Sequence, residues 1–329
     1  MPITTRRLFC KACLAASPWA AWSKSLAQPP AETSNTAPPA HPAGVKYPAY
    51  ENYLQDRLWM WGHDPGAYDG PKGVYNIPLS APITMAEGIK SMGIPNVCVI
   101  RGGTAGAEYR KQFKDVKRIA WNLSGGSNKS YDALKDYVFG LRDTTPNLTG
   151  YYLDDFFHVG NKSGFNKNSE TEPAPASLSL EEMRQLHEET IAYRRRLDLA
   201  VVLYTSQLCP AIKPVMNYVD VVSLWIWDGS DIQRIDVNFK KYRSLVPYKP
   251  TLLGIYMWDF GGKKEMSKDF MAKQLDYAHM LYREGQIEGL IFHCTPLCNK
   301  GLAAVDYARK WIAKHGRDGR SRSQRTNFF

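Results

Sequence analysis

The chain has 329 residues and a formal net charge of +10. Residues 1–27 contribute four cations and no acid, and residues 316–329 contribute four arginines and one acid, which leaves +3 for everything between. The basic character therefore belongs mostly to the two ends. Because no basic stripe follows a helix and no recognisable motif is present, the sequence argues against a nucleic-acid partner.

The first segment is expected to be an export signal. Thr5–Lys11 resembles the twin-arginine motif, an apolar stretch follows from Ala12 to Trp22, and Ser25–Ala27 offers a small-residue cleavage site. The apolar stretch is too short to span a bilayer, and no lipobox precedes Cys13, so we expect no stable membrane anchor. The resemblance implies a periplasmic or secreted protein that crosses the membrane folded.

Composition divides the rest of the chain. Residues 28–46 are rich in Pro and Ala and cannot bury enough surface to offset their ordering entropy, which predicts a flexible linker. Residues 316–329 are rich in Arg, Ser and Gly and are predicted to form a disordered basic tail. The remaining residues, 47–315, have the length of one α/β barrel.

Four cysteines remain after the signal: Cys98, Cys209, Cys294 and Cys298. An even number in an exported protein permits disulfides, and a bridge between Cys294 and Cys298 is plausible. The alternative is four buried free thiols. No second close Cys/His pair accompanies these two cysteines, so we expect no metal site, and no cofactor motif is present.

Two hydrophobic periodicities alternate along the body of the chain. Short β-branched or aromatic runs occur at 57–61, 96–101, 118–122, 150–154, 199–204, 219–227, 251–258 and 289–293. Helical spacing occurs between them at 84–91, 107–114, 130–142, 179–197, 211–218, 231–244, 268–284 and 302–314, with Ser179 as a helix cap. This alternation predicts a single (β/α)8 TIM barrel. An open doubly wound sheet is the alternative, but the glycine-rich phosphate turn is missing.

In a barrel, the carboxyl ends of the strands meet at one mouth. The residues predicted there, in strand order, are Trp61, His63, Asp64, Arg101, Asn122, Asp154, Asp155, Tyr204, Ser206, Gln207, Trp227, Asp228, Trp258, Asp259 and His293. Tryptophan faces can stack on sugar rings, although these indoles could instead pack between sheet and helices. In a regular strand a Trp and the Asp that follows it point to opposite sides, so sequence leaves their orientation open.

The acids suggest a chemistry. Asp154 and Asp155 end an apolar, aromatic strand, and taking a charge out of water there is costly. Their presence suggests a functional site, and the alternative is a solvated junction between strand and loop. Two carboxylates across a mouth can hydrolyse a glycosidic bond, and neighbouring acids separate each other's pKa values into a donor and a base. No serine-hydrolase elbow or zinc-protease helix competes with this interpretation.

Three segments carry a family resemblance. The strand-four ending Gly150–Asp155, together with Gly254–Asp259 and Ile287–Phe292, resembles TIM-barrel glycoside-hydrolase-like proteins. The resemblance implies that Asp154 or Asp155 is a nucleophile and that Asp228 is the acid/base. The better-known pattern uses Glu after strands four and seven. This chain departs from it, with Asp155 and Asp259 there.

The prediction is therefore a glycosidase acting on a polysaccharide or oligosaccharide. Asp155 is the first choice for the essential carboxylate, with Asp154 orienting it; Asp228 is the proton donor, and Asp259 is its substitute. The long polar loop at 157–177 is either a lid or a surface insertion. Two alternatives remain: a noncatalytic carbohydrate-binding barrel, and a sugar lyase or epimerase. In the latter, the base would be one of His63, Tyr204 and His293.

Overall fold

The computed structural model describes residues 53–69, 75–100, 106–123, 136, 140–159, 165–192 and 197–320. The predicted signal and linker lie outside these residues. Within the described residues, none of the helices combines the length and apolar character that a membrane span requires.

Eight parallel strands close into a barrel, which confirms the predicted fold. They are β1 (Leu58–His63), β2 (Asn96–Ile100), β3 (Arg118–Asn122), β4 (Leu148–Leu153), β5 (Asp198–Tyr204), β6 (Val221–Trp225), β7 (Thr251–Tyr256) and β10 (Gly289–His293). Each strand pairs with its neighbours in sequence, and β1 pairs with β10 to complete the ring. The short strands β8 (Trp258–Asp259) and β9 (Lys264–Glu265) form a separate antiparallel ribbon beyond β7.

Helices follow the strands around the barrel. Those described are α1 (Met85–Met92), α2 (Ala107–Arg110), α3 (Leu180–Ala192), α4 (Lys213–Met216), α5 (Ile235–Leu245), α6 (Lys268–Arg283) and α7 (Ala303–His315). The predicted cap of α3 is confirmed, because Ser179 Oγ accepts the Glu182 N–H at 3.2 Å and the Glu182 carboxylate accepts the Ser179 N–H at 2.7 Å. The same reciprocal arrangement joins Thr84 and Glu87 at the start of α1.

Two predicted strands extend too far in the sequence. The run 219–227 forms β6 only to Trp225, and the run 251–258 forms β7 only to Tyr256. The chain leaves the barrel there because the segments after both strands turn toward each other: Gly261 N–H donates to Trp227 O at 3.2 Å. Aromatic residues favour strands but do not mark where a strand ends.

Close packing fixes the barrel interior. Gly254 on β7 lies under the Trp225 indole, and a Cβ at this glycine would stand 2.1 Å from Trp225 Cε3. Trp225 also donates its indole N–H to Ser223 Oγ at 2.9 Å. The large ring therefore occupies the lumen because the facing strand has no side chain there.

The end of the barrel opposite the mouth is closed by the two ends of the described chain. Tyr53 bridges to Gly319, and Arg320 forms a buried ion pair with Glu288 at 2.6 Å. Of the predicted tail, residues 316–320 are described and make these contacts, and residues 321–329 lie outside the described part of the chain.

The cysteines follow the alternative interpretation. Cys98, Cys209, Cys294 and Cys298 are all free and buried, so the plausible Cys294–Cys298 bridge is not formed. The Cys298 thiol instead lies 3.6 Å from the carbonyl oxygen of Cys294 as a hydrogen-bond donor.

Candidate active site

The floor of the mouth is aromatic. Trp61 lies edge-on to Trp225 and Tyr152, with ring centroids 5.4 and 5.5 Å away. Tyr256 packs against Trp225 at 5.1 Å and against His293 at 5.0 Å. All five side chains are nearly or fully buried. The floor is thus rigid and poorly hydrated, which strengthens any electrostatic interaction above it.

Asp154 lies directly above this floor. It follows β4 two residues after the lumenal Tyr152, and its backbone N–H donates to Asn122 Oδ1 at 3.4 Å. Burial, and after it the charge of the neighbouring Asp155, raise the pKa of Asp154 to about 7. A carboxyl group with this pKa exists in both protonation states near neutral pH, as a proton donor requires.

Asp155 leaves the strand geometry. Its φ is +45°, in the left-handed region that Asp tolerates better than most residues. Its N–H donates to Asp154 Oδ1 at 2.9 Å, and its own Oδ1 accepts the Tyr204 hydroxyl at 3.0 Å. The strict alternation expected for two strand residues therefore ends here. Both carboxylates approach Tyr256, whose pKa is raised by burial and by their two charges.

Trp227 forms the exposed aromatic rim. Its side chain is 37% exposed. Its ring contacts Phe260 at 5.6 Å, Tyr75 at 5.8 Å and Tyr204 at 6.0 Å between centroids. Trp258 is different: it is buried and donates its indole N–H to Tyr75 O at 3.0 Å. Of the three tryptophans predicted at the mouth, Trp61 and Trp258 are buried and Trp227 alone offers a face to solvent.

The two later acids have local partners. Asp228 is exposed and accepts both the N–H and the hydroxyl of Ser230, which lowers its pKa. Asp259 is buried, and its Oδ1 accepts the N–H groups of Gly229 and Gly262 at 3.0 and 2.8 Å. Asp228 caps a turn, and Asp259 ties together the segments that follow β6 and β7.

Two histidines lie beside the floor. Burial lowers the pKa of His63 to about 4, and burial together with the neighbouring His63 holds the pKa of His293 well below its usual value, so both imidazoles are neutral at pH 7. His63 Nε2 is 3.1 Å from the Tyr68 hydroxyl. Ligand atoms of His63, His293 and Cys294 lie within 4.8 Å of one another, close enough to hold a soft metal ion.

The remaining predicted residues lie further from the acid pair. Asp64 accepts the Tyr109 hydroxyl at 2.6 Å. Gln207 donates to Phe157 O at 2.9 Å and thereby joins the segments after β5 and β4. Arg101 lies outside the described residues.

The described part of the loop after β4 packs along the neighbouring segment. Ala174 N–H donates to Ala211 O at 2.7 Å, and Lys213 pairs with Glu170 at 2.6 Å. Phe157 bridges to Ala176, which closes the loop at its base. The described loop residues 165–177 are therefore attached to the segment that follows β5 and to the base of their own loop.

The aromatic contributors that were not predicted as site residues are Tyr68, Tyr75, Tyr152, Trp225, Tyr256 and Phe260. Trp225 and Tyr256 each lie two residues before a predicted rim tryptophan, so strand parity placed them on the same face. This two-residue spacing can be read from the sequence, but the predicted ends of β6 and β7 lay two residues beyond the real ones. Tyr68 and Phe260 belong to irregular segments that fold back over the floor, and nothing local signals this.

Comparison with solved structures supports the fold. The chain is similar to a xylanase-A-amylase inhibitor protein at TM-score 0.50 and 10% identity, covering 79% of this chain and 98% of that one. It is similar to the catalytic domain of a hyperthermophilic chitinase from Pyrococcus furiosus at TM-score 0.49 and 13% identity, covering 80% and 98%. A chitinase from Ipomoea carnea aligns at TM-score 0.46 and 10% identity, covering 79% of this chain and 99% of that one.

No protein-family model matches the sequence, and a search of the curated proteins gives no match. At identities this low, the structural likeness shows the barrel fold alone and does not extend to the carboxylate pair or to activity.

Proposed function

We propose that the protein is a glycosidase that acts on an oligosaccharide or polysaccharide at the barrel mouth. The observation that carries the proposal is Asp154: a carboxyl group over a dry aromatic floor, with a pKa raised to about 7 by burial and by Asp155. This geometry moves the first choice for the proton donor from Asp228 to Asp154.

The proposed reaction uses the acid pair asymmetrically. Protonated Asp154 donates to the glycosidic oxygen as the bond to the anomeric carbon breaks. The Asp155 carboxylate stabilises the positive charge that develops on the sugar. Water then bonds to the anomeric carbon, and the proton that it loses restores the acid form of Asp154. Burial raises the pKa of Tyr204, so its hydroxyl stays protonated and holds the Asp155 carboxylate in place. The exposed face of Trp227 supplies a stacking platform for a neighbouring sugar.

Leaving-group dependence tests the role of Asp154. A general acid matters most when the leaving group is a poor one, because an acidic phenol departs without protonation. Asp154→Asn should therefore lose at least about 100-fold in kcat/KM on natural glycans and much less on dinitrophenyl glycosides. Equal losses on both substrates would remove the general-acid assignment.

Asp228→Asn serves as the matched comparison, because it changes a carboxylate that caps an exposed turn. We expect its kcat/KM to stay within about threefold of the wild type. A loss as large as that of Asp154→Asn would restore Asp228 as the donor.

A noncatalytic carbohydrate-binding barrel is the competing function, and the exposed Trp227 face is compatible with it. Fold likeness does not choose between the two. Three results together would favour the noncatalytic function. The protein would bind glycans on an array without releasing products, Asp154→Asn would leave that binding unchanged, and Trp227→Ala would abolish it.

Export by the twin-arginine route remains part of the proposal, since it rests on the sequence of residues 5–11. Replacing both Arg6 and Arg7 with Lys should leave the precursor in the cytoplasm, as judged by fractionation and immunoblotting. Normal export of the double variant would show that the segment is not a twin-arginine signal.

A further inference from the structure

A second cluster of ionisable side chains lies at the end of the barrel opposite the mouth. It contains His279 on α6, His315 at the end of α7, and Asp318 just beyond it. His279 Nε2 and His315 Nδ1 each lie 2.9 Å from Asp318 Oδ2. The two imidazole centroids are 4.6 Å apart. The side chains are 19%, 20% and 31% exposed. His279 Nε2 itself is buried and lacks a hydrogen bond of good geometry, which leaves this nitrogen available to a ligand.

We propose that this cluster binds a divalent transition-metal ion through two imidazoles and one carboxylate. At a metal–ligand distance of about 2.1 Å, adjacent ligands of an octahedral ion are about 3.0 Å apart. The two 2.9 Å separations match that spacing, and the two imidazole nitrogens lie within 4.8 Å of each other. Three coordination positions remain for water. The donor set suits Ni²⁺, Co²⁺ or Zn²⁺ and not Mg²⁺ or Ca²⁺, which prefer oxygen ligands.

The surroundings hold the two rings in place. Trp311 on α7 packs against His279 at 5.7 Å and against His315 at 5.0 Å between ring centroids. Arg283, one turn beyond His279 on α6, adds positive charge close to the cluster. The ion must therefore be held by direct coordination against this repulsion, and removing the Arg283 charge should tighten binding.

The bound ion would link the segments that meet at the base of the barrel. Leu54 N–H donates to Asp318 O at 3.0 Å, and Asp318 N–H donates to His315 O at 2.9 Å. Coordination would thus connect α6, α7 and the segment after α7 that is hydrogen-bonded to Leu54. The expected consequence is thermal stability, independent of the chemistry at the mouth.

The test uses protein without a polyhistidine tag, because such a tag binds the same metals. After treatment with EDTA and desalting, NiCl2, ZnCl2 and MgCl2 are titrated separately by calorimetry, and unfolding is followed with and without each metal. We expect one equivalent of Ni²⁺ or Zn²⁺ to bind, no heat with Mg²⁺, and a Tm increase of roughly 5 °C at 100-fold excess over Kd.

Variants distinguish this cluster from other histidines. His279→Ala and His315→Ala should each weaken binding at least about tenfold, and Arg283→Gln should strengthen it. His158→Ala changes a partly exposed histidine outside the cluster and should leave affinity unchanged. If either alanine variant fails to fold, Asp318→Asn provides the same test with a side chain of equal size. Absence of stoichiometric binding, or unchanged affinity in the folded cluster variants, would overturn the proposal.

Discussion

Asp154→Asn should stabilise the fold at neutral and alkaline pH while it removes activity. The side chain of Asp154 ionises near pH 3.8 in the unfolded chain, whereas burial and the Asp155 charge raise its pKa to about 7 in the folded protein. The folded state therefore holds a proton that the unfolded state has lost across this window. Folding stability must fall as pH rises from about 4 to about 7 and then level off.

The size of the effect follows from the two pKa values. The difference between a pKa of 3.8 in the unfolded chain and about 7 in the folded protein corresponds to about 4 kcal/mol of folding free energy. This figure is an upper limit because water reaches the open mouth. Asn mimics the neutral carboxyl group and carries no such penalty. Wild type and Asp154→Asn should therefore be nearly equal in stability near pH 4, and the variant should be the more stable by about 1–3 kcal/mol above pH 7.

Thermal unfolding of both proteins between pH 4 and pH 9 measures this difference. For a domain of this size, 1–3 kcal/mol corresponds to a Tm difference of roughly 2–10 °C. Asp228→Asn is the control, because its carboxylate is exposed and its pKa is lowered by Ser230. A difference that does not change with pH, or a less stable Asp154→Asn at pH 8, would refute the assignment of a raised pKa to Asp154.

Three further changes test the scaffold by thermal unfolding. Asp259→Ala removes the acceptor of the Gly229 N–H and should cost about 3 kcal/mol; a Tm loss below about 2 °C would contradict this. Gly254→Ala forces the Trp225 ring to move and should cost about 1–3 kcal/mol together with most of the activity, and full retention of activity would contradict it. Ser179→Ala removes a helix cap and should cost about 1 kcal/mol with activity unchanged.

The fold was predictable because each strand–helix unit carries its own periodicity. The predicted bounds of β3 and β10 are those of the structure, since each run is compact and clearly terminated. The mouth was only partly predictable. The aromatic character of Trp225–Trp227 continues past the last ladder hydrogen bond, so composition could not show which indole faces the lumen.

The sequence also could not show which of Asp154 and Asp155 lies over the aromatic floor, for a different reason. Regular alternation allows only one of Asp154 and Asp155 to face the lumen. The left-handed turn at Asp155 lets its carboxylate reach the Tyr204 hydroxyl while Asp154 stays over the floor. Such a turn depends on what the chain packs against after it, and two Asp residues in succession do not specify it.

Buried carboxylates have opposite surroundings at the two ends of the barrel. At the base, Glu288 lies between Arg57 and Arg320, with oxygen–nitrogen separations of 3.7 and 2.6 Å, so opposite charges are neutralised where the chain ends meet. At the mouth, Asp154 lies beside a second carboxylate, and its ionised form is disfavoured. An arrangement that lowers stability above pH 4 fits the proposed role of Asp154 as a proton donor near pH 7. This contrast is the reason for proposing Asp154, and not Asp228, as that donor.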